Sequence, residues 1–282
     1  MLDIIKAVVF GIVQGITEWL PISSTGHMIL LEEFIKFEGI TERFWEMFLV
    51  VIQLASIMAV VVLFWPKIFP FGGKTPDNLK ASGVLSYVKP DILNLWGKIL
   101  VACVPAAIVG FLFDDFFESL FYNAVGVSIA LIFFGIVFIV IENKNEGRVP
   151  KINSLTEITY HTAIIIGIFQ LIAAVFPGTS RSGATIIGAL LIGVSRTIAA
   201  EFTFFLAIPV MAGASLLKLV KFGLSFTSTE AAILLVGMAV AFFVSIIVIR
   251  FLLNYIRKNN FKIFGYYRII LGAVVLGYFY FR

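Results

Sequence analysis

The sequence predicts an all-α, polytopic integral membrane protein built as an inverted-topology repeat. Three observations carry that expectation. Of 282 residues, 60% are hydrophobic and 13% charged, with a mean hydropathy of +1.05; soluble domains are about half apolar and about a quarter charged. The apolar runs have helix length, unlike the short alternating strands of membrane barrels. One stretch also occurs twice: Gly11-Ile-Val-Gln-Gly-Ile-Thr-Glu-Trp-Leu-Pro-Ile-Ser-Ser-Thr-Gly-His27 returns as Gly167-Ile-Phe-Gln-Leu-Ile-Ala-Ala-Val-Phe-Pro-Gly-Thr-Ser-Arg-Ser-Gly183. An offset of 156 (167 − 11) sets Gln14 on Gln170, Pro21 on Pro177 and Ser24 on Ser180. The reactive positions differ, with Glu18 on Ala174, Thr25 on Arg181 and His27 on Gly183. One copy thus carries an acid and an imidazole, the other a guanidinium.

Residues 4–20 form a first apolar segment that is short for a span. Pro21 lacks a backbone donor and restrains its predecessor, so the helix is expected to end there. Ser23, Ser24 and Thr25 suit a helix N-cap, and residues 27–36 form a second short helix. Residues 4–36 therefore read as a re-entrant hairpin with a polar tip, which at membrane depth needs protein or a water-filled cavity around it. Residues 44–65 span, stopped at Trp65-Pro66, and 66–92 form a polar loop rich in proline, glycine and lysine. A span at 93–113 leads through an acidic link (Asp114, Asp115, Glu118) to another at 121–141. After the polar stretch 142–155 the pattern restarts: a second re-entrant pair at 156–192, broken at Pro177–Gly183, then spans at 198–217, 231–253 and 264–281.

The chain is thus one membrane domain, 1–282, of two repeats at about 1–142 and 156–282. A re-entrant pair returns to its own side and three spans are odd, so the second repeat starts on the opposite face. The two broken elements then meet near the midplane. Basic residues set orientation: Lys67, Lys74, Lys80, Lys89, Lys144, Arg148, Lys151, Arg196, Arg257, Lys258 and Lys262 fall on one side, against Lys6, Lys36, Arg43, Lys218, Lys221 and Arg282. That bias places both termini outside, with Trp65, Tyr122, Tyr255 and Tyr278 as interfacial belts.

Composition also excludes. The net charge of +4 is no nucleic-acid signature. A single cysteine, Cys103, leaves no internal disulfide and no cysteine metal cluster. The N-terminal apolar segment contains Lys6, Gln14 and Glu18 and is followed by hydroxyls rather than a cleavage site, so no signal peptide is expected.

The candidate site lies at the two breaks. Glu18 is an acid in an apolar helix, four residues after Gln14 and so on its face. Acids at membrane depth are costly and default to function. Ser23, Ser24, Thr25 and Gly26 lead to His27; each hydroxyl alone reads as a cap, the group beside an acid and an imidazole as a reactive set. Thr179, Ser180 and Ser182 surround Arg181 on a loop that opens a helix. Helix-start amides favour an anion, and arginine offers a planar fork matched to phosphate. Glu46 and Glu201 stand near the starts of the spans after each hairpin; Glu46 is a candidate to join the site, and Glu201 to pair with Arg196 or Arg181. His161 reads as interfacial. Acid, hydroxyl nucleophile, imidazole and arginine–amide cradle together suit phosphoryl transfer, where catalysis is chiefly positioning and charge neutralisation.

These residues resemble a known family. Gln14-x-x-x-Glu18, Pro21-x-Ser-Ser-Thr-Gly-His27 and Pro177-Gly-Thr-Ser-Arg-Ser-Gly183 are similar to the signature motifs of the undecaprenyl-diphosphatase, or bacitracin-resistance, family. The likeness extends to Phe48-x-Val-Val-Ile-Gln53 and Glu201-Phe-Thr-Phe-Phe-Leu-Ala-Ile-Pro209. The resemblance implies hydrolysis of undecaprenyl diphosphate to undecaprenyl phosphate and inorganic phosphate, which recycles the lipid carrier for cell-wall peptidoglycan synthesis and confers bacitracin resistance. It implies a bacterial plasma-membrane enzyme whose site opens to the outer face and which uses a divalent cation, commonly Mg2+. Carried onto this chain, it makes Ser24 the nucleophile position, His27 the base or acid, Arg181 the phosphate clamp, and Glu18 and Gln14 the metal-associated pair, with Thr25 and Ser180 nearby. Two departures stand out: Gln14 replaces a common glutamate, and Leu49 occupies a position often acidic, with Glu46 three residues earlier as a stand-in metal ligand. Membrane lipid and a homodimer complete the expected partners. The competing expectation is a transporter or flippase for the same lipid phosphate without hydrolysis, since inverted repeats with broken helices are transporter architecture.

Overall fold

A computed structural model describes residues 2–72, 87–121, 123–223 and 226–281. It shows eleven helices among them: α1 (Leu2–Thr17), α2 (Ser24–Phe34), α3 (Glu42–Leu63), α4 (Trp65–Ile68), α5 (Pro90–Phe121), α6 (Ala124–Asn145), α7 (Tyr160–Val175), α8 (Arg181–Leu191), α9 (Arg196–Phe222), α10 (Ser228–Ile256) and α11 (Lys262–Tyr280). Six helices, α3, α5, α6, α9, α10 and α11, are long and apolar enough to cross a membrane. Their outward faces carry Leu100, Ile129, Phe243 and Ile270, as a lipid-facing belt requires.

Several boundaries differ from expectation for local reasons. α1 ends at Thr17, four residues before Pro21, because residues 18–22 turn under a buried Trp19 that packs edge-on against Phe204 at 5.2 Å. α2 starts at Ser24, where the Ser23 hydroxyl accepts the Gly26 N–H. The loop after α3 begins with a helical turn, α4, that carries Pro66 near its start, where a missing donor costs nothing. The expected acidic link is not a break: the backbone of α5 stays helical through Phe121. Lys74, Lys80, Tyr122 and Arg282 lie outside the described residues.

Without a hydrophobic drive between helices in lipid, close packing rests on small residues. α1 lies on α10 through Gly11 and Gly15, and α7 lies on α5 through Gly167, whose missing Cβ would sit 2.3 Å from the Ala102 carbonyl oxygen. α6 and α11 approach reciprocally, Gly135 against the Gly265 carbonyl and Gly265 against that of Gly135, each 2.8 Å from a built Cβ. α3 packs along α9 and α10. The first helix of each hairpin, α1 or α7, thus packs on a long helix from the other half of the chain.

Polar contacts mark the two ends of the bundle. At the C-terminal end of α9, Lys218 pairs with Glu46 and Arg43 donates to the Lys221 carbonyl; Lys6 of α1 pairs with Glu38 just past α2. At the N-terminal end of α9, Arg196 pairs with Glu142, Lys262 with Glu146, and Asn145 donates to the Leu190 carbonyl at the end of α8. The hairpin α1–α2 therefore enters from one end of α9 and the hairpin α7–α8 from the other.

Candidate active site

The tips of both hairpins have the same local architecture. Ser23 caps α2 at φ 72° and Ser180 caps α8 at φ 69°, the only described non-glycine residues with positive φ. Each hydroxyl accepts the amide three residues on, from Gly26 at 3.4 Å and Gly183 at 3.2 Å. This corrects the register of the repeat at the tips. The structural equivalents are Ser23 and Ser180, an offset of 157 (180 − 23), so Ser24 corresponds to Arg181 and Gly26 to Gly183. Between its glycine and its cap the second copy is one residue longer than the first (180 − 167 = 13 against 23 − 11 = 12), so an alignment anchored on Gly11 slips by one at the tips.

Glu18 follows α1 directly, its N–H still bonded to the Gln14 carbonyl at 3.0 Å. Its side chain is 7% exposed and both carboxylate oxygens are engaged. Gln14 Nε2 donates to Oε2 at 2.9 Å, and Arg181 Nη2, from the other hairpin, donates to Oε1 at 2.8 Å. Ser182 Oγ donates to the Glu18 carbonyl at 3.4 Å. Arg181 is held further by the Thr203 carbonyl, and Thr185 bonds both the Arg181 carbonyl and the Thr203 hydroxyl. A carboxylate and a guanidinium at this depth are stable only as such a pair with its remaining bonds filled.

Beside this pair, α2 and α8 present their N-termini, the positive ends of their dipoles. Ser24 and Thr25, on the first turn of α2, are part-exposed, and neither hydroxyl has a protein partner among the described residues. Ser180 Oγ meets Ser182 Oγ at 3.1 Å, while the buried Thr179 hydroxyl has no partner among the described residues. His27 sits one turn into α2. Its Nδ1 lies 2.7 Å from the Ser23 carbonyl, which only accepts, so Nδ1 carries the proton and donates. Nε2 of the neutral ring then accepts from the Tyr267 hydroxyl at 2.7 Å. The two rings lie parallel at 5.6 Å.

Two residues of this region were not among the expected ones, Tyr267 and its neighbour Arg268, both on α11. Arg268 is fully buried. It donates from Nη1 to the Pro21 carbonyl at 3.4 Å and from Nη2 to the Gly178 carbonyl at 3.1 Å, tying one hairpin tip to the other. No carboxylate among the described residues pairs with it, and it stands over the Phe138 ring at 6.0 Å. A charged residue inside the expected span 264–281 was the available signal. The tip it holds is tight: Gly178 adopts φ 90°, and a Cβ there would stand 2.6 Å from the Val127 carbonyl oxygen.

Glu46 is not beside Glu18. It lies exposed at the bundle end with Lys218 at 3.2 Å, while Leu49 packs in an apolar cluster. Glu201 pairs with Lys67 of α4 at 2.7 Å, not with Arg196 or Arg181. No three His, Cys, Asp or Glu side chains among the described residues group to hold a metal ion. The donor set, one carboxylate and the Gln14 amide, fits a hard oxygen-seeking cation only where substrate phosphates and water complete its shell, as Mg2+ sites often do.

Helical hairpins that meet inside a bundle of spanning helices and join an acid, an arginine, free hydroxyls and two helix N-termini define a multi-pass membrane protein with an anion-handling site. Residues 7–274 match the family described as Bacitracin resistance protein BacA, and the chain belongs to that family. It is 62% identical over 279 residues to an undecaprenyl-diphosphatase of Desulfitobacterium hafniense, covering 99% of this chain and 97% of that one. It is 62% identical to undecaprenyl-diphosphatase 1 of Clostridium acetobutylicum (99% and 98% covered) and 56% identical to an undecaprenyl-diphosphatase of Enterococcus faecalis (98% and 96% covered).

Proposed function

We propose that this protein hydrolyses undecaprenyl diphosphate to undecaprenyl phosphate and inorganic phosphate at the junction of the two hairpin tips. The observation that carries the reading is the Glu18–Arg181 contact at 2.8 Å, beside the uncommitted Ser24 hydroxyl at the start of α2. The kinship to undecaprenyl-diphosphatases supports the substrate.

In the resting arrangement the Glu18 carboxylate takes one arm, Nη2, of the guanidinium fork that a phosphate would take. Arriving diphosphate exchanges with it: Arg181 turns its fork to the phosphate oxygens, and Glu18 is released to accept a proton. Ser24 Oγ, or a water in its place, attacks the terminal phosphorus. A new P–O bond forms, the bridging P–O bond breaks, and undecaprenyl phosphate leaves. The attacking proton passes to Glu18 or His27. With a serine nucleophile, water then cleaves the phosphoserine to give inorganic phosphate. The amides of α2 and α8 and the Arg181 fork stabilise the charge that builds on phosphorus oxygens. Glu18 and the Gln14 amide oxygen would hold Mg2+, which when bound supplies further neutralisation of phosphate charge.

The reading includes an inverted-topology repeat, supported by the entry of the hairpins from opposite ends of α9 and by their matching caps. It also includes a bacterial plasma-membrane setting with both termini and the site mouth outside, and a homodimer, which light scattering in detergent tests. Opposed hairpins equally suit a carrier that moves the lipid phosphate without cleaving it. Detergent separates the two, since it leaves no compartments to transport between. Purified protein releasing phosphate from undecaprenyl diphosphate in detergent, and stopping when a chelator is added, supports a cation-assisted hydrolase. Substrate binding without release supports the carrier.

A further inference from the structure

At the end of the bundle that holds the N-terminus of α9 lies a cleft of about 620 Å³, between the C-terminal ends of α6, α8 and α10 and the loop after α6. Four cationic side chains line it, Arg148, Lys151, Arg196 and Arg257, and its lining contains no carboxylate. Arg196 is neutralised, because its guanidinium donates to both oxygens of Glu142. Arg148, Lys151 and Arg257 are exposed, and none has an ion pair among the described residues. The site described above does not use them.

The cleft is built on a fixed backbone. The N–H groups of Lys151 and Ile152 both donate to the Gly193 carbonyl, at 2.8 and 3.2 Å, and the Ser195 N–H returns to the Ile152 carbonyl at 2.9 Å. Gly193 adopts φ 88°, and the Lys151 stem lies across it where a Cβ would crowd it at 3.3 Å. Three like charges held around one cleft repel, and an anion among them removes that repulsion. Val149 and Leu191, both exposed, place apolar surface on the same rim. Cations beside apolar surface at the end of a spanning bundle match a headgroup phosphate above its acyl chains.

We propose that this cleft binds the phosphate of an anionic membrane phospholipid. Free inorganic phosphate offers the same anion chemistry without the chains, so the test runs both. Purified full-length protein in detergent is titrated with phosphatidylglycerol, with phosphatidylcholine and with inorganic phosphate, following thermal unfolding and the lipid retained in native mass spectrometry. R148Q/K151Q/R257Q is compared with the single R257Q and with K36Q/K221Q at the other end of the bundle. Phosphatidylglycerol is expected to raise the unfolding temperature and stay bound in wild type and K36Q/K221Q. Retention is expected to weaken on the order of a hundredfold in the triple variant, at about 1 kcal/mol per surface cation, and by a smaller step in R257Q. Stabilisation by inorganic phosphate that is lost in the same variants would keep the site and move its occupant to solution. Equal phosphatidylglycerol retention in wild type and a folded triple variant would overturn the proposal.

Discussion

Arg181 and Glu18 lie 163 residues apart in sequence and 2.8 Å apart in space, each from a different hairpin tip. The pair is both a fold contact and, in the proposed reaction, the exchange that admits the phosphate. Truncating one partner leaves the other charge buried and alone, which costs about 3–5 kcal/mol. Glu18→Ala and Arg181→Ala are therefore expected to lower the unfolding temperature, and Glu18→Ala/Arg181→Ala to lower it less than the two singles added together. All three should lose phosphate release by on the order of a hundredfold or more. Additive unfolding shifts would mean that the contact is not energetically coupled.

Adjacent serines are expected to behave differently. Ser23 is a cap at φ 72°, a conformation that glycine adopts freely. Ser23→Gly should fold and keep most activity, since glycine costs only a few tenths of a kcal/mol at an N-cap. Ser24→Ala should fold equally well and lose phosphate release. Phosphate trapped on Ser24 in a single turnover marks it as the nucleophile; loss of activity without trapping leaves the attack to water. Comparable losses in Ser23→Gly and Ser24→Ala would contradict the division of roles.

His27 is oriented from both sides, by the Ser23 carbonyl and the Tyr267 hydroxyl. Tyr267→Phe keeps the stacked ring and deletes one hydrogen bond worth about 1 kcal/mol. Turnover should fall roughly fivefold by that energy, with His27→Ala falling further. A Tyr267→Phe enzyme as damaged as His27→Ala would place Tyr267 in the chemistry itself.

Arg268 holds the Pro21 and Gly178 carbonyls with one fork. Lysine has the charge without the fork, so Arg268→Lys should keep only one of the two contacts. Its unfolding temperature and turnover should both fall, and Gly178→Ala, which crowds the same tip, should fall with it. Gly213→Ala, where a Cβ meets nothing within 4 Å, should leave both unchanged. Normal turnover in Arg268→Lys would remove Arg268 from the positioning of the tips.

Much of this arrangement was legible in the sequence, because membrane burial writes strong patterns. Long apolar runs marked the six spanning helices, and Pro21 and Pro177, each followed by a run of hydroxyls, located both tips. Glu18, Ser24, His27 and Arg181 stood out because polar groups are rare in such runs. The exact turn did not. α1 stops at Thr17 because Trp19 packs against Phe204, and the tip register shifts by one because the second copy has one more residue between its glycine and its cap. Glu46 is near Leu49 in sequence, yet the helix puts it at the bundle end with Lys218. Tyr267 and Arg268 reach the tips from the last span, and no local pattern announces a contact 247 residues long.

The measurement that tests the central claim most directly is phosphate release from undecaprenyl diphosphate by purified wild type and Arg181→Ala in detergent, each shown folded by its unfolding transition. The account predicts steady release by wild type and a loss of on the order of a hundredfold or more in the variant. Turnover by Arg181→Ala close to that of wild type would contradict a reaction site shared between the two hairpins.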